Sequence, residues 1–316
     1  AFIFPGQGSQ EIGMGKALAD AFPAARAVFA EVDDALGQNL SKLMWDGDIA
    51  ELTLTANTQP ALMAHSVAAM RALEAASGLS AADARFVAGH SLGEYSALAS
   101  AGAISLADTA RLLRIRGNAM QGAVAAGEGA MAALLGADVA QAEAACVAGR
   151  ATGGVCEIAN DNAPGQLVLS GSKAAIDAAC EHAKANGVKK AMALNVSAPF
   201  HCSLMQPAAD AMAAALSGVS ISAPVVPVVA NISAAPTSDP DTIRQNLIDQ
   251  VTGRVRWSES VQFMVGQGVT STAEAGAGKV LTVMQRRIEK SLNGFTLGTP
   301  EDMEAFTAFI KGEAHV

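Results

Sequence analysis

The sequence predicts an α/β protein in which a compact βαββαβ unit interrupts a larger α/β unit, and three observations predict it. Hydrophobic residues make up 51% of the 316 residues but aromatics only 4%, so the core must be built from Ala, Leu, Val, Ile and Met, which suits helices packed on a sheet. Residues 85–102 read as strand, tight turn and helix. Residues 130–196 alternate strand and helix periods in the order βαββαβ, the split unit of ferredoxin-like folds. The length exceeds the usual ~150 residues per domain, so two units are expected: a large one from 1–127 and 197–316, and an inserted small one from 128–196.

In chain order, AFIF at residues 1–4 is an apolar run expected to form a buried strand, PGQGSQ is a loop, and residues 14–36 carry helical periodicity that Gly37 ends. A second long helix, PALMAHSVAAMRALEAASG, is expected to start at Gln59-Pro60. Residues 85–88 then form a strand that runs into AGHSLGE, and EYSALASAG forms a helix. A helix over 105–121 (SLADTARLLRIRGNAMQ) precedes the insert. The insert's strands are AMAALLG, CEIANDN, QLVLSG and KKAMALNV, and its helices are ADVAQAEAACVAG and SKAAIDAACEHAKANG. Strands resume at VVPVVAN (225–231) and TSTAEAG (270–276).

Composition excludes several functions. A formal net charge of -9, with no long basic run, argues against a general nucleic-acid or anionic-membrane binder, so an acidic partner would need a local basic patch. Cys146, Cys156, Cys180 and Cys202 show no C-x-x-C spacing, so neither a zinc site nor a redox pair is indicated, and free thiols in a reducing cytoplasm are expected. Residue 1 is alanine, AFIF is too short for a signal-peptide core, and no later segment offers ~18 uninterrupted apolar residues, so the chain is expected neither to be exported nor to span a membrane. The PGQGSQ loop is not a phosphate cradle, because the GxGxxG frame from Gly6 meets Glu11 where its last glycine should be.

Gly89-His90-Ser91-Leu92-Gly93 fits G-x-S-x-G, in which a serine is held on a sharp turn between strand and helix. The two glycines permit the turn, Ser91 presents its hydroxyl at the helix N-terminus, and the N–H of Leu92 is placed to donate to a developing oxyanion. A serine hydroxyl needs a base to take its proton. Of five histidines, His65 lies in an apolar helix, His182 in a surface helix of the insert and His315 in the tail, while His90 points away from its neighbour Ser91. His201, in the loop SAPFHC just after the insert, is left. No acid stands in a recognisable relation to it, so a dyad whose imidazole is oriented by a backbone carbonyl stays open.

Helix 105–121 carries three arginines. Arg111 and Arg114 share a polar stripe with Asn118 and are expected to be solvated. Arg116 lies one turn from Leu112, Leu113 and Met120, which puts a permanent cation on the apolar face. Two readings are open: an internally paired or snorkelling arginine, or a fork that holds a substrate carboxylate. The glycine-rich loop after the first strand can bring the Gln7 side chain and a backbone N–H towards a serine on the neighbouring strand.

With FPGQGSQ near the start, GHSLGE around Ser91, RIRGNAMQ, IANDNAPGQ, SAPFHC and Gln250 before VRW, the chain resembles, essentially end to end, the malonyl-CoA:acyl carrier protein transacylases of bacterial fatty acid synthesis. The same pieces occur in the related acyltransferase domains of polyketide synthases. The resemblance implies an α/β-hydrolase-like large domain with an inserted ferredoxin-like small domain. It implies a ping-pong transfer of malonyl from malonyl-CoA through Ser91 to the phosphopantetheine thiol of acyl carrier protein. In that reading His201 is the base, Arg116 binds the malonyl carboxylate, Gln7 and Leu92 form the oxyanion hole, and the carbonyl of Gln250 orients His201. Asn160, Met120 and Phe200 are supporting cleft residues. No cofactor or metal is implied, and a cytoplasmic monomer is expected. The sequence departs from the family at Ala277, where proline is common; Phe200 goes with malonyl rather than methylmalonyl selection in the polyketide relatives. A serine esterase or thioesterase with the same turn is the rival enzyme reading, and a carrier-binding module without activity is the rival binding reading. An acidic carrier would dock on Lys189-Lys190 or on Arg286, Arg287 and Lys290.

Overall fold

A computed structural model describes residues 1–312. The chain begins with β1 (Phe2–Phe4), α1 (Lys16–Ala21), α2 (Pro23–Leu36), α3 (Leu40–Asp46), α4 (Ile49–Thr53), α5 (Thr55–Ser77), β2 (Val87–Gly89), α6 (Gly93–Ser100) and α7 (Leu106–Gly122). It continues with β3 (Gly129–Leu135), α8 (Val139–Arg150), β4 (Cys156–Ala163), β5 (Gln166–Ser172), α9 (Lys173–Ala185) and β6 (Lys190–Ala193). After these come α10 (Gln206–Ser217), β7 (Val228–Val229), β8 (Pro236–Thr237), α11 (Pro240–Asp249), α12 (Trp257–Gly266), β9 (Ser271–Ala275), α13 (Val280–Ile288), β10 (Asn293–Leu297) and α14 (Pro300–Ile310).

The strands form two sheets. The first has the order β10-β9-β1-β2-β7-β8 and is parallel from β10 to β7, with β8 antiparallel. Helices cover both faces of a parallel sheet, which is why β1 (FIF) and β2 (VAG) are apolar at every position and fully buried. Since β1, β2, β7 and β9 run in one direction, the residues that follow their carboxyl ends meet along one edge. Open α/β sheets bind their ligands at that edge.

The second sheet has the order β4-β5-β3-β6 with antiparallel pairings throughout. α8 and α9 pack on it, and Leu134, Cys146, Ile158, Leu169 and Ile176 belong to an apolar cluster separate from that of the first sheet. Its edge strand β4 is tied to the rest of the chain: Asp161 N–H donates to Val255 O at 2.9 Å and Val255 N–H to Ala159 O at 2.8 Å.

Three expectations change in detail. The helix over 14–36 is two helices, because the residue before a proline avoids the helical region and Phe22 is extended (φ −125°, ψ 114°) ahead of Pro23 at the start of α2. α5 begins at Thr55, with Pro60 within its first two turns, where its missing N–H deprives only the Ala56 carbonyl of a donor. Of VVPVVAN only Val228 and Val229 pair, since Pro227 has no N–H for a ladder. Gly37 ends α2 as expected, in the left-handed region at φ 58°. All four cysteines are free. Among the described residues no helix is long and apolar enough to cross a membrane. His315 lies outside the described residues.

The sharpest close approach lies where β1 meets the start of α6. A Cβ on Gly93 would sit 2.3 Å from the Phe4 carbonyl oxygen, with backbone on both sides unable to yield. Gly93→Ala is therefore expected to cost at least the ~1–3 kcal/mol of overpacking a core, seen as a fall in melting temperature of at least roughly 2–5 °C in a thermal scan.

Candidate active site

Ser91 sits on the bend between β2 and α6 with φ 54°, a left-handed conformation that non-glycine residues rarely adopt. Glycines on each side allow the bend, since a Cβ on Gly89 would fall 1.9 Å from the Gly93 carbonyl. The Ser91 N–H donates to Asn231 Oδ1 at 2.8 Å, and Asn231 Nδ2 donates to Gly89 O at 2.7 Å, so one amide side chain from the end of β7 clamps the bend. Ser91 Oγ is thereby turned to the cleft, where it hydrogen-bonds His201 Nε2 at 2.8 Å.

His201 also has left-handed backbone, φ 58°, and is 4% exposed. Its Nδ1 lies 2.8 Å from the main-chain oxygen of Gln250, a carbonyl that can only accept, so Nδ1 carries the proton and Nε2 is left to accept from the serine. Burial, then the charge of Arg116, hold the imidazolium far below its usual range, at about 3, which keeps the ring neutral.

Arg116 is 1% exposed. Its Nη1 donates to Gln59 Oε1 at 2.9 Å, and its Nη2 to Ser91 Oγ at 3.1 Å and to Gln250 Oε1 at 3.2 Å. α7 can lie close enough to the first turn of α5 because of Gly117, where a Cβ would come within 2.7 Å of Thr55 O. Among the described residues no carboxylate pairs directly with Arg116, and its Nε has no partner. The cation is thus held by neutral acceptors and faces the serine. Arg114 differs from expectation: it is half-buried and donates to Asn57 Oδ1 at 2.9 Å and to Gln38 Oε1 at 2.5 Å. Arg111 is exposed and paired with Asp108, as its stripe suggests.

A cleft of about 280 Å³ opens above these groups, lined by Gln7, Leu92, Met120, Asn160 and Phe200 among others. Gln7 is exposed at the mouth while Leu92 is buried. The cleft thus brings every sequence-predicted site residue together except Gln250, which lies behind His201 and Arg116. His90 does turn from Ser91, but it also lines the cleft, with Nε2 2.8 Å from Asn162 Oδ1. Gln59, Asn162 and Asn231 went unnoticed in the sequence, and so did Glu94, which lies 1% exposed beside Asn231 and Gln250. The last E of AGHSLGE was the one available signal: an acid in the first turn of a helix whose other residues, YSALAS, are apolar or small.

A serine bonded to a neutral imidazole that is oriented by a carbonyl, beside a buried cation, can form and release acyl esters. Residues 1–292 match the family model described as acyl transferase domain, and the chain belongs to that family. It is 43% identical over 313 residues to the malonyl CoA-acyl carrier protein transacylase of Bacillus subtilis (strain 168), covering 99% of this chain and 98% of that protein. An acyl-carrier-protein-S-malonyltransferase from Bartonella henselae is similar in structure, with TM-score 0.95 and 55% identity over 99% of each chain. A malonyl-transacylase solved in complex with a holo type II polyketide synthase acyl-carrier protein is also similar, with TM-score 0.92 and 41% identity over 96% of this chain and 97% of that one.

With its pKa near 3, below the ordinary 6.5, His201 stays neutral well under the ordinary midpoint. Nitrogen-15 spectra of the imidazoles at about pH 5 are expected to show one ring, absent in His201→Ala, still protonated on Nδ1 alone.

Proposed function

We propose that the chain transfers a malonyl group from malonyl-CoA to the phosphopantetheine thiol of acyl carrier protein in fatty acid synthesis, through an ester on Ser91. The observation that carries this reading is the 3.1 Å contact between Arg116 Nη2 and the Ser91 hydroxyl oxygen. An acyl group bonded to Ser91 has a buried cation within reach, so a carboxylate at its far end repays the cost of burying that charge. Malonyl is such a group and acetyl is not.

In the acylation half-reaction, Ser91 Oγ attacks the thioester carbonyl while its proton passes to His201 Nε2. The C–S bond then breaks, and the thiolate of CoA leaves with that proton. The Leu92 N–H, at the start of α6, and Gln7 serve the oxyanion in between. The second half-reaction mirrors the first. The carrier thiol gives its proton to His201, its sulfur takes the malonyl carbon, and the C–O bond to Ser91 breaks as the proton returns to Oγ. Gln250 O holds the imidazole, while Met120, Phe200 and Asn160 shape the cleft. No cofactor enters either step. The free thiols accord with a cytoplasmic setting.

The division of the chain into a large α/β-hydrolase-like domain (1–127 and 197–316) and an inserted ferredoxin-like domain (128–196) belongs to the same proposal. It is supported by the strand order of the second sheet and its separate apolar cluster. On this division the serine and arginine come from the large domain before the insert and the base from just after it.

Brief exposure to malonyl-CoA should add one malonyl mass to the intact protein and none to Ser91→Ala; release of CoA without retained adduct or carrier acylation would mark a hydrolase instead. Arg116→Ala should lower malonyl transfer by on the order of 10²–10⁴-fold, the ~3–5 kcal/mol of a broken buried pair, with far less effect on acetyl-CoA.

For the carrier, Lys189 and Lys190 in one cluster and Arg286, Arg287 and Lys290 in the other are all exposed. Among the described residues none of the five joins a salt bridge. The second cluster lies in the last turn of α13 and just past it, whereas the loop at Gly278 ahead of that helix adjoins Ser9, the neighbour of the cleft-lining Gly8 and Gln10. Reversing the docking cluster's charges should raise KM for carrier protein, with an effect that shrinks at high salt, and leave acylation by malonyl-CoA unchanged.

A further inference from the structure

Glu94 is a buried carboxylate three residues past Ser91 with no part in the two half-reactions above. Its hydrogen bonds come from the residues that hold the Ser91–His201 pair. Asn231 N–H donates to Glu94 Oε2 at 2.9 Å, Asn231 Nδ2 donates to the same oxygen, and Gln250 Nε2 does so at 3.2 Å. Each of these residues has another polar group on the pair or on its cation. Asn231 Oδ1 accepts from Ser91 N–H at 2.8 Å, Gln250 O accepts from His201 Nδ1 at 2.8 Å, and Gln250 Oε1 accepts from Arg116 Nη2 at 3.2 Å. An amide side chain can lie either way round, and its neighbours decide which.

We propose that Glu94, as the carboxylate, is a positioning residue that sets the orientation of both amides and through them the nucleophile, its base and Arg116. This rests on the acyl-transfer reading of the site. Turned over, the Gln250 side chain would set its NH₂ against the guanidinium and its oxygen against the carboxylate. The Asn231 side chain would lose its bond to the Ser91 N–H. The arrangement also gives the buried cation a counter-charge one amide away, so that Arg116 is compensated while no carboxylate of the protein fills its fork. All three donors are N–H groups, which suit the ionised acid; a protonated one would bring an O–H into a ring of donors.

The charged and titratable groups facing Glu94 are Arg116 from α7 and Tyr95 on its own helix; Asn231 and Gln250 carry no charge. Burial raises the carboxyl to about 7, against the opposing pull of the Asn231 bonds and Arg116, so the acceptor is lost as pH falls through that value.

The test is rapid-quench intact-mass measurement of Ser91 malonylation by malonyl-CoA on the full chain. In the unaltered protein kcat/KM, which reports groups of the free enzyme, is expected to drop on acidification with a midpoint near 7. Glu94→Gln should abolish that step, lower the acylation rate at neutral pH by roughly 10²-fold, as a misplaced nucleophile does, and leave KM for malonyl-CoA within about threefold. An E94Q protein that acylates within about threefold of the unaltered one would overturn the proposal. So would an unaltered protein whose kcat/KM is flat down to about pH 5, a measurement that holds even if E94Q does not fold. Absence of any adduct on the unaltered protein would instead remove the acyl-transfer reading, and this proposal with it.

Discussion

The buried charge of Arg116 is the constraint on which the rest of the site depends. A guanidinium cannot shed its proton to escape burial, so its surroundings must supply acceptors, and here they are the oxygens of two glutamines and a serine. Neutral acceptors take the bonds of its two terminal nitrogens and leave its Nε without a partner, and none of them carries a charge to set directly against its own. After burial itself, the field of this cation is what lowers the basicity of His201, and in the proposed transfer it is what favours an anionic acyl group on Ser91. Glycine at 117 and the early start of α5 are the backbone conditions for this, because they bring Gln59 and Arg116 within bonding distance.

The local parts of the site were legible in the sequence and the distant parts were not. The bend at Ser91 is written in two glycines four positions apart, and the strand before it and helix after it follow from adjacent residues. The βαββαβ stretch could be read from changes of period. His201 emerged only because the other histidines could be set aside. The partners that complete the site join across great lengths of chain: Asn231 reaches Glu94 over 137 positions and Gln250 over 156. No spacing encodes such a contact, and a buried acid or amide looks like any surface one until the fold encloses it. The role of Gln250 came from family resemblance, since a main-chain carbonyl leaves no trace in residue identity.

Errors in the helices had equally physical origins. Periodicity alone carries a helix through Phe22 and Pro23, whereas steric restriction of the residue before proline stops it. Arg114 read as solvated because its stripe is polar, yet Gln38 and Asn57 reach over it from neighbouring elements. Both cases show pattern yielding to contacts that pattern does not contain.

Ser91 and His201 share one further trait, a left-handed backbone at φ 54° and 58°. Glycine would sit in either place with less strain, so heat tolerance and the proposed acyl transfer pull in opposite directions at these two positions. A laboratory population selected only to survive higher temperatures would drift towards glycine at both and would end as a sturdier fold with neither the hydroxyl nor the imidazole.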